Sequence, residues 1–215
     1  MRNLYVGIGI GPGMGLSTAE RFAREGYDVI ITGRDKPKLD RLAERLSADT
    51  GRKVEAVALD ANDLQAIQGL ADTYGESTAV LHYNAAAMHG TSIYDSSIAS
   101  LDQDIRVDIT GALVAIKAFT VFMKASKQGT VLLTGGGFAL SPSAEYLTLS
   151  IGKAGIRSMA EGLFPELAKS GIHIATVTVA KNVSAGSQAA EAAAEAFWNL
   201  HNQPMEAWSW EFILN

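Results

Sequence analysis

The sequence contains no cysteine, so disulfide bonds and thiolate chemistry are excluded. It also lacks a block of basic residues, and its formal net charge of -5 favours neither nucleic acid nor an anionic membrane as a partner. The four histidines are scattered without the spacing of metal ligands, so we expect no metal site. The absence of thiols is compatible with a cytoplasmic protein.

Long apolar runs are absent as well, and no stretch is long enough to span a bilayer. The first residues lead directly into a predicted strand, which leaves no room for a signal peptide. We therefore expect a cytoplasmic chain without a membrane anchor. Its 215 residues, 47% of them hydrophobic, are most simply one α/β domain over residues 1–215.

The first 34 residues organise the rest of the chain. Residues 4–8 form an apolar run that predicts a buried strand, and residues 9–15 form a glycine-dense turn. Apolar residues then recur at helical spacing up to Gly26, and residues 27–32 predict a second strand. A strand, turn, helix and strand in this order form a βαβ unit, in which a glycine turn admits the phosphates of a dinucleotide.

The spacing of the glycines distinguishes between dinucleotide-binding families. Gly9, Gly13 and Gly15 fit the pattern G-x-x-x-G-x-G, which resembles the short-chain dehydrogenase/reductase family. A register over Gly7, Gly11 and Gly13 fits as well, but the later one lets the helix and the second strand begin at sensible places. The resemblance implies a cofactor-binding turn made of Gly9, Gly11, Pro12, Gly13, Met14 and Gly15.

The end of the second strand bears on which nicotinamide cofactor is bound. NAD-using relatives carry an acidic ribose ligand here, whereas this chain has Gly33 followed by Arg34. A guanidinium suits a 2′-phosphate, so NADP(H) is expected rather than NAD(H), although the following Asp35 weakens this signal. The alternative is a solvated arginine at the start of the next helix.

The end of the third predicted strand resembles a cofactor-binding position of the family. A strand over residues 54–59 ends at Asp60 and Ala61, and the resemblance places Asp60 beside the adenine. Asp60 could instead cap the following helix, a role for which Asn62 and Asp63 are also available.

The fourth strand, residues 79–83, meets a segment that resembles the family's N-N-A-G motif. Tyr83 replaces the first Asn, and Asn84, Ala85 and Ala86 follow it. The resemblance implies that Asn84 braces the central strands and that the alanines leave room for the ribose. His82 and His89 flank this turn, and we expect both to be structural or solvated because spacing identifies no acidic partner.

The catalytic motifs of the family are altered in this chain. Residues 149–153 resemble Y-x-x-x-K, with Lys153 present to bind the nicotinamide ribose but Leu149 in place of the tyrosine. Gly136, or Gly135 if the loop differs by one, falls at the catalytic serine. The chain therefore resembles an atypical member that lacks the catalytic tyrosine and serine.

Several residues could compensate for these losses. Tyr146 precedes Lys153 by seven residues, on the same face of a helix that begins early, and a catalytic role and a pocket-lining role are equally open. Asp108 replaces the Asn that holds a relay water in the family. The nearest hydroxyls to Gly136 in sequence are those of Thr134, Ser141 and Ser143.

We therefore predict a doubly wound Rossmann fold with helices on both faces of a seven-stranded parallel sheet in the order 3-2-1-4-5-6-7. The remaining strands are expected at residues 130–134, 172–179 and 208–214, with a short substrate-covering segment around residues 181–207. An alanine-rich helix is expected at residues 186–200. The function indicated is NADP-dependent hydride transfer to or from a small carbonyl or alcohol, and the alternative is an inactive nucleotide-binding or assembly protein. Two long helices, at residues 101–124 and 146–169, indicate a homodimer or homotetramer.

Overall fold

The structure, a computed structural model, describes residues 3–90 and 92–215. A seven-stranded parallel sheet runs through it in the order β3-β2-β1-β4-β5-β6-β7. The strands are β1 Leu4–Ile8, β2 Asp28–Gly33, β3 Val54–Ala58, β4 Thr78–Tyr83, β5 Gly129–Thr134, β6 Ile172–Val179 and β7 Glu211–Leu214. The predicted fold class and strand order are confirmed.

Helices cover both faces of the sheet, and each face has its own apolar core. The core on one side includes side chains of α3, α5 and α6, and the core on the other includes α1, α2 and α7. The helices are α1 Met14–Arg24, α2 Lys36–Thr50, α3 Leu64–Tyr74, α4 Ile98–Ile105, α5 Gly111–Ser126, α6 Leu147–Lys169 and α7 Gln188–His201. Within the described residues, no helix is long and apolar enough to cross a membrane.

Burial along the strands explains their continuous apolar composition. Every residue of β5 and of β6 is buried, as expected for strands covered on both faces. The edge strands differ, since β3 is only partly buried and Phe212 and Ile213 of β7 are exposed. Arg157 of α6 holds β7 in place by donating hydrogen bonds to both carboxylate oxygens of Glu211.

The helix predicted over residues 101–124 is present, but a π-helical turn that the prediction lacked lies within it. The segment consists of α4, a π-helical turn Arg106–Thr110 and α5. In the wide turn the Gly111 N–H donates to the Arg106 carbonyl, and the Tyr83 hydroxyl donates to the Val107 carbonyl at 2.5 Å. A Cβ on Gly111 would lie 2.5 Å from the Tyr83 hydroxyl, so the turn and the tyrosine fit only around a glycine.

Two element starts near the C-terminus also differ from the prediction. The predicted helix over residues 186–200 begins at Gln188, because Gly186 has φ +69 and the Ser187 side chain caps the helix by accepting from the Ala190 N–H. The strand predicted over residues 208–214 begins only at Glu211. Trp208 lies outside the strand, because its side chain donates a hydrogen bond to the Gln203 carbonyl.

Candidate cofactor and active site

The glycine turn follows β1 at the point where the strand order reverses, between β1 and β4. Gly9 has φ +78, and a Cβ there would lie 2.5 Å from the Ala85 Cα, so no other residue fits without displacement. Helix α1 begins at Met14 with Gly13 as its N-cap, whereas Gly7 lies inside β1 and pairs with Ile31. The register over Gly9, Gly13 and Gly15 is therefore the one that the structure contains.

The N-terminus of α1 is open to an anion. Its first turn has no acidic residue, and no side chain of the described residues caps it. A Cβ on Gly11 would meet nothing within 4 Å, and one on Gly13 would only approach the Ala185 nitrogen at 4.0 Å. Pro12 is exposed and Met14 half-buried. Free N–H groups and the positive end of the helix dipole make this a suitable place for a phosphate.

Asn84 connects the turn to the neighbouring strands. Its Nδ2 donates to the Gly9 carbonyl at 2.7 Å, and its Oδ1 accepts from the Thr134 hydroxyl at 2.9 Å. A Cβ on Gly15 would lie 2.8 Å from the same Nδ2. Asn84 thus spans the ends of β1, β4 and β5, and the third glycine of the motif leaves space for it.

A cavity of about 590 Å³ extends from this turn across the carboxyl ends of β2 and β3, a volume within the usual range for small-ligand sites. Most of the predicted cofactor residues line it together: Gly9, Gly11, Gly33, Arg34, Asp60, Ala61, Asn84, Ala85 and Ala86. Its far end carries a second cation, Lys38, which the sequence reasoning missed. A more open groove of about 760 Å³ lies between α2 and β3, away from the glycine turn.

The acidic side chains near Arg34 and Lys38 accept hydrogen bonds from backbone N–H groups. Asp35 is the N-cap of α2 and accepts from the Lys38 N–H at 3.0 Å. Asp63, rather than Asp60, caps α3. The Asp60 side chain accepts from the Asn62 N–H at 2.9 Å, and its residue stays exposed at the cavity.

Lys153 projects from α6 towards the end of β5. Its Nζ donates to the Thr134 carbonyl at 2.8 Å, and the residue is half-buried. Burial lowers the pKa of this amine to about 8, although the charge of Asp108 acts in the opposite direction. A Cβ on Gly136 would lie 3.2 Å from the Lys153 Cγ, so the lysine stem occupies space beside the glycine.

Asp108 lies in the π-helical turn, buried against α6. Its Oδ1 accepts from the Ala87 N–H at 2.7 Å, and its Oδ2 has no hydrogen-bond partner in the part of the chain that the structure describes. Burial raises the pKa of this carboxyl to about 6, while the Ala87 N–H and the charge of Lys153 lower it. A Cβ on Gly152 would lie 2.5 Å from the Asp108 Cβ, so α6 approaches the turn very closely.

Tyr146 lies immediately before α6, as its N-cap residue, so the helix does not begin early enough to include it. Its ring stacks on Phe138 with centroids 5.4 Å apart, and the position of a Cβ on Gly90 would be 3.1 Å from its Cζ. Leu149 is only 4% exposed and fills the helix position one turn before Lys153. The aromatic ring therefore lies between two loops that follow β4 and β5.

Sequence spacing missed the acidic partner of His89. The imidazole Nε2 lies 3.2 Å from Oδ2 of the buried Asp104, which also accepts from the Thr148 hydroxyl at 2.8 Å. His89 and Asp104 both line the cavity. These three residues come from a loop, α4 and α6, so only the tertiary fold brings them together.

Comparison with known proteins identifies the family. A family model described as short chain dehydrogenase matches residues 4–195. The chain belongs to this family. It is 26% identical over 173 residues to an uncharacterized oxidoreductase of Staphylococcus saprophyticus, covering 79% of this chain and 74% of that protein. A protein of Staphylococcus aureus with the same description is 27% identical over 178 residues, 81% of this chain and 76% of its own length.

Solved structures of short-chain dehydrogenases share the fold over nearly the whole chain. One from Rhodopseudomonas palustris has a TM-score of 0.87 at 25% identity and covers 100% of this chain and 99% of its own. One from Sphingobium yanoikuyae, in complex with NADPH, has a TM-score of 0.85 at 24% identity, covering 97% and 87%. A metagenomic oxidoreductase in complex with NADP has a TM-score of 0.89 at 22% identity, covering 99% and 96%.

Proposed function

We propose that this short-chain dehydrogenase binds NADP(H) and transfers hydride to or from a small carbonyl or alcohol. The observation that carries the proposal is the position of Lys153, whose amine is fixed at the carboxyl end of β5. The adjacent strand β4 is followed by Asn84, which donates a hydrogen bond to the glycine turn. An amine at the end of β5 and an open phosphate site at the end of β1 thus lie along the same edge of the sheet, formed by the carboxyl ends of its strands, where ligands of such sheets bind.

The adenosine end of the cavity supports NADP(H) over NAD(H). Arg34 and Lys38 both line it, and Gly33 offers no carboxylate to a ribose hydroxyl. The nearby Asp35 carboxylate caps α2, so it does not take the place of the missing ribose ligand. The Sphingobium and metagenomic structures, solved with NADPH and NADP, are consistent with this preference.

The residues of the chain divide the remaining work. NADPH, when bound, supplies the hydride that adds to the carbonyl carbon, and a proton must then reach the carbonyl oxygen to give the alcohol. Lys153 would donate to a hydroxyl of the nicotinamide ribose, and Tyr146 would donate the proton to the carbonyl oxygen. The free Oδ2 of Asp108 would accept a hydrogen bond from the water that returns a proton to Tyr146. For this the Tyr146 hydroxyl must come within about 3 Å of the substrate oxygen, or within one water of it.

A second candidate function is nucleotide binding without catalysis. In its favour, Leu149 is buried and has no proton to transfer, and Gly136 has no side chain to orient a carbonyl. Thr134, a nearby hydroxyl, is 4% exposed and donates to Asn84 instead. Ligand binding would then depend on the same turn and on Lys153, but no turnover would follow.

The two candidates separate in one series of measurements. Wild type and Tyr146→Phe are titrated with NADPH by fluorescence and then tested for NADPH oxidation against a panel of aldehydes and ketones. We expect Tyr146→Phe to keep the affinity and to lose about 10²-fold or more in turnover, as for the removal of a general acid. Activity of Tyr146→Phe equal to that of wild type would show that the proton comes from another group.

The double variant Leu149→Tyr with Gly136→Ser provides the matched control. The backbone at Gly136, with φ -167 and ψ 155, is extended and accepts serine, provided that the Lys153 stem moves by a few tenths of an ångström. Carbonyl reduction by the double variant, with none by a wild type that binds NADPH, would establish the non-catalytic function. A wild type that binds neither NADPH nor NADH would contradict both candidates.

A further inference from the structure

Four hydrogen bonds, two of them buried and two partly buried, connect the interior of the sheet to the glycine turn. The Tyr5 hydroxyl lies 2.5 Å from His82 Nδ1, and His82 Nε2 lies 2.8 Å from the Thr134 hydroxyl. The Thr134 hydroxyl bonds to Asn84 Oδ1, and Asn84 Nδ2 bonds to the Gly9 carbonyl. The four side chains come from β1, β4 and β5 or the residue that follows β4, and they form one continuous chain.

Counting donors and acceptors gives the four hydrogen bonds a single direction. The Gly9 carbonyl can only accept, so the Asn84 amide nitrogen must face it and the Asn84 oxygen must face Thr134. That oxygen also can only accept, and the Thr134 hydroxyl therefore donates its one proton to it. Thr134 must then accept from His82, so the proton of the imidazole is on Nε2 and Nδ1 accepts from the Tyr5 hydroxyl.

The surroundings keep the imidazole neutral. Tyr5 and His82 are both completely buried, and the ring of Phe197 packs on His82 with centroids 4.6 Å apart. Burial first, and the positive charge of Lys153 second, lower the pKa of His82 to about 3. Burial also raises the pKa of Tyr5, so neither group changes charge near neutral pH.

We propose that Tyr5, His82 and Thr134 are positioning residues for the nucleotide-binding turn: their directed hydrogen bonds fix the Asn84 amide, and Asn84 fixes the Gly9 carbonyl. The turn needs such support because Gly9 adopts φ +78, a conformation that its own lack of side chain permits but does not enforce. The choice of NADPH as the ligand rests on the proposed function, whereas the support of the turn by these side chains does not.

The test compares two Thr→Val variants that remove the same buried group. Thr134→Val removes the hydrogen bond to Asn84. The control Thr176→Val, on the neighbouring strand β6, removes a hydroxyl that donates to the Leu133 carbonyl and takes no part in the four hydrogen bonds. Amide hydrogen exchange of residues 9–15 is measured in the ligand-free protein, and NADPH affinity is measured separately. We expect Thr134→Val to accelerate this exchange and to weaken NADPH binding, each by about fivefold or more relative to Thr176→Val.

Three further measurements complete the test. Thr134→Ser, which keeps the hydroxyl, should restore both properties, and Tyr5→Phe, a milder change if Thr134→Val folds poorly, should also accelerate exchange of residues 9–15. Nitrogen NMR should find His82 protonated on Nε2 alone from about pH 5 to 9, as the direction of the chain requires. A proton on Nδ1, or equal effects of Thr134→Val and Thr176→Val, would overturn the proposal. Altered exchange in a protein that binds no nucleotide would contradict only the proposed function.

Discussion

Arg34 and Lys38 are positive side chains that line the cavity beside the end of β2, and only Arg34 could be found from the sequence. Arg34 could be predicted because it directly follows a strand end, where the cofactor ribose is expected. Lys38 was missed because its position depends on how α2 leaves that strand, with Asp35 as the cap and Lys38 one turn on. Short-range patterns identify strand ends better than they identify the reach of a following helix.

Replacing these cations tests the cofactor preference at the scale of single side chains. Arg34→Ala should weaken NADPH binding about tenfold or more and leave NADH binding nearly unchanged, because only NADPH carries the 2′-phosphate. Lys38→Ala should act in the same direction. The exposed Arg41, on the same helix but not at the cavity, provides the control variant Arg41→Ala. Isothermal titration with both cofactors measures the effect, and equal affinities of wild type for NADPH and NADH would contradict the assignment.

Long-range contacts were the part of the site that the sequence could not provide. The glycine register was predictable because it depends on the positions of one strand and one helix. The pairing of His89 with Asp104 joins a loop to α4, and no spacing rule connects such residues. The use of Thr134 by Asn84 was hidden for the same reason, since it joins β5 to the residue after β4.

Lys153 carries a stability penalty that follows from its burial. Its folded-state pKa of about 8 lies below the ordinary value of 10.5, so the folded protein disfavours the charged amine at pH 7. Lys153→Met should therefore stabilise the ligand-free protein by about 1–2 kcal/mol at pH 7, less than the whole shift implies because the amine also bonds to Thr134 and partly reaches solvent. The gain should shrink as the pH rises from 8 through 10.5 and disappear above that, where the amine is neutral in both states.

Urea denaturation of wild type and Lys153→Met at pH 7 and pH 10 checks this expectation. A gain that is equal at both pH values would show that it comes from packing and not from the charge. The same variant should bind NADPH more weakly, so that stability and ligand binding move in opposite directions.

At the scale of secondary structure, the contact between α6 and the π-helical turn determines where Asp108 lies. Apolar periodicity predicts the helical character of residues 101–124 but not the π-helical turn within it. The wide turn depends on a hydroxyl from β4, that of Tyr83, and on the missing side chain of Gly111. Neither relation changes the 3.6-residue pattern, so no apolar spacing indicates the turn.

Two glycines of α6 allow this contact to be tested. Gly152→Ala would place a Cβ 2.5 Å from the Asp108 Cβ, so we expect a loss of about 1–2 kcal/mol in unfolding free energy and a displaced turn. Gly162→Ala, in open space on the same helix, should instead stabilise by roughly 0.5–1 kcal/mol. Thermal and urea unfolding of both variants measure the difference. A gain from Gly152→Ala equal to that from Gly162→Ala would show that α6 is farther from Asp108.

At the scale of the whole molecule, the strand order could be predicted because few arrangements satisfy right-handed crossovers in a chain of alternating strands and helices. The way in which copies of the chain assemble is a separate matter. Helices α5 and α6 cover the same face of the sheet, yet each leaves apolar side chains exposed. Leu113 and Val121, eight residues apart on α5, are 46% and 62% exposed, and Ile151 of α6 is 46% exposed.

We expect these helices to join two copies in a dimer, which could pair again into a tetramer. Val121→Glu should then produce a monomer, because a carboxylate would be buried without a partner in the interface. Met205→Glu provides the control, since Met205 is similarly exposed, at 57%, but lies in a turn before β7. Light scattering at micromolar concentration measures the mass. A wild-type mass equal to that of one chain would contradict the expectation.

Strand β7 is one edge of the sheet, and its exposed apolar side chains affect how readily the protein aggregates. The opposite edge strand, β3, carries Glu55 and lies beside a groove with Lys36 and Asp40, whereas β7 exposes Phe212 and Ile213. An apolar edge strand with free hydrogen-bonding groups is a template for aggregation. Ile213→Lys should slow the growth of turbidity on heating by severalfold while leaving the urea midpoint nearly unchanged, because charged edge residues oppose strand addition. Turbidity that grows at the wild-type rate would place the start of aggregation elsewhere.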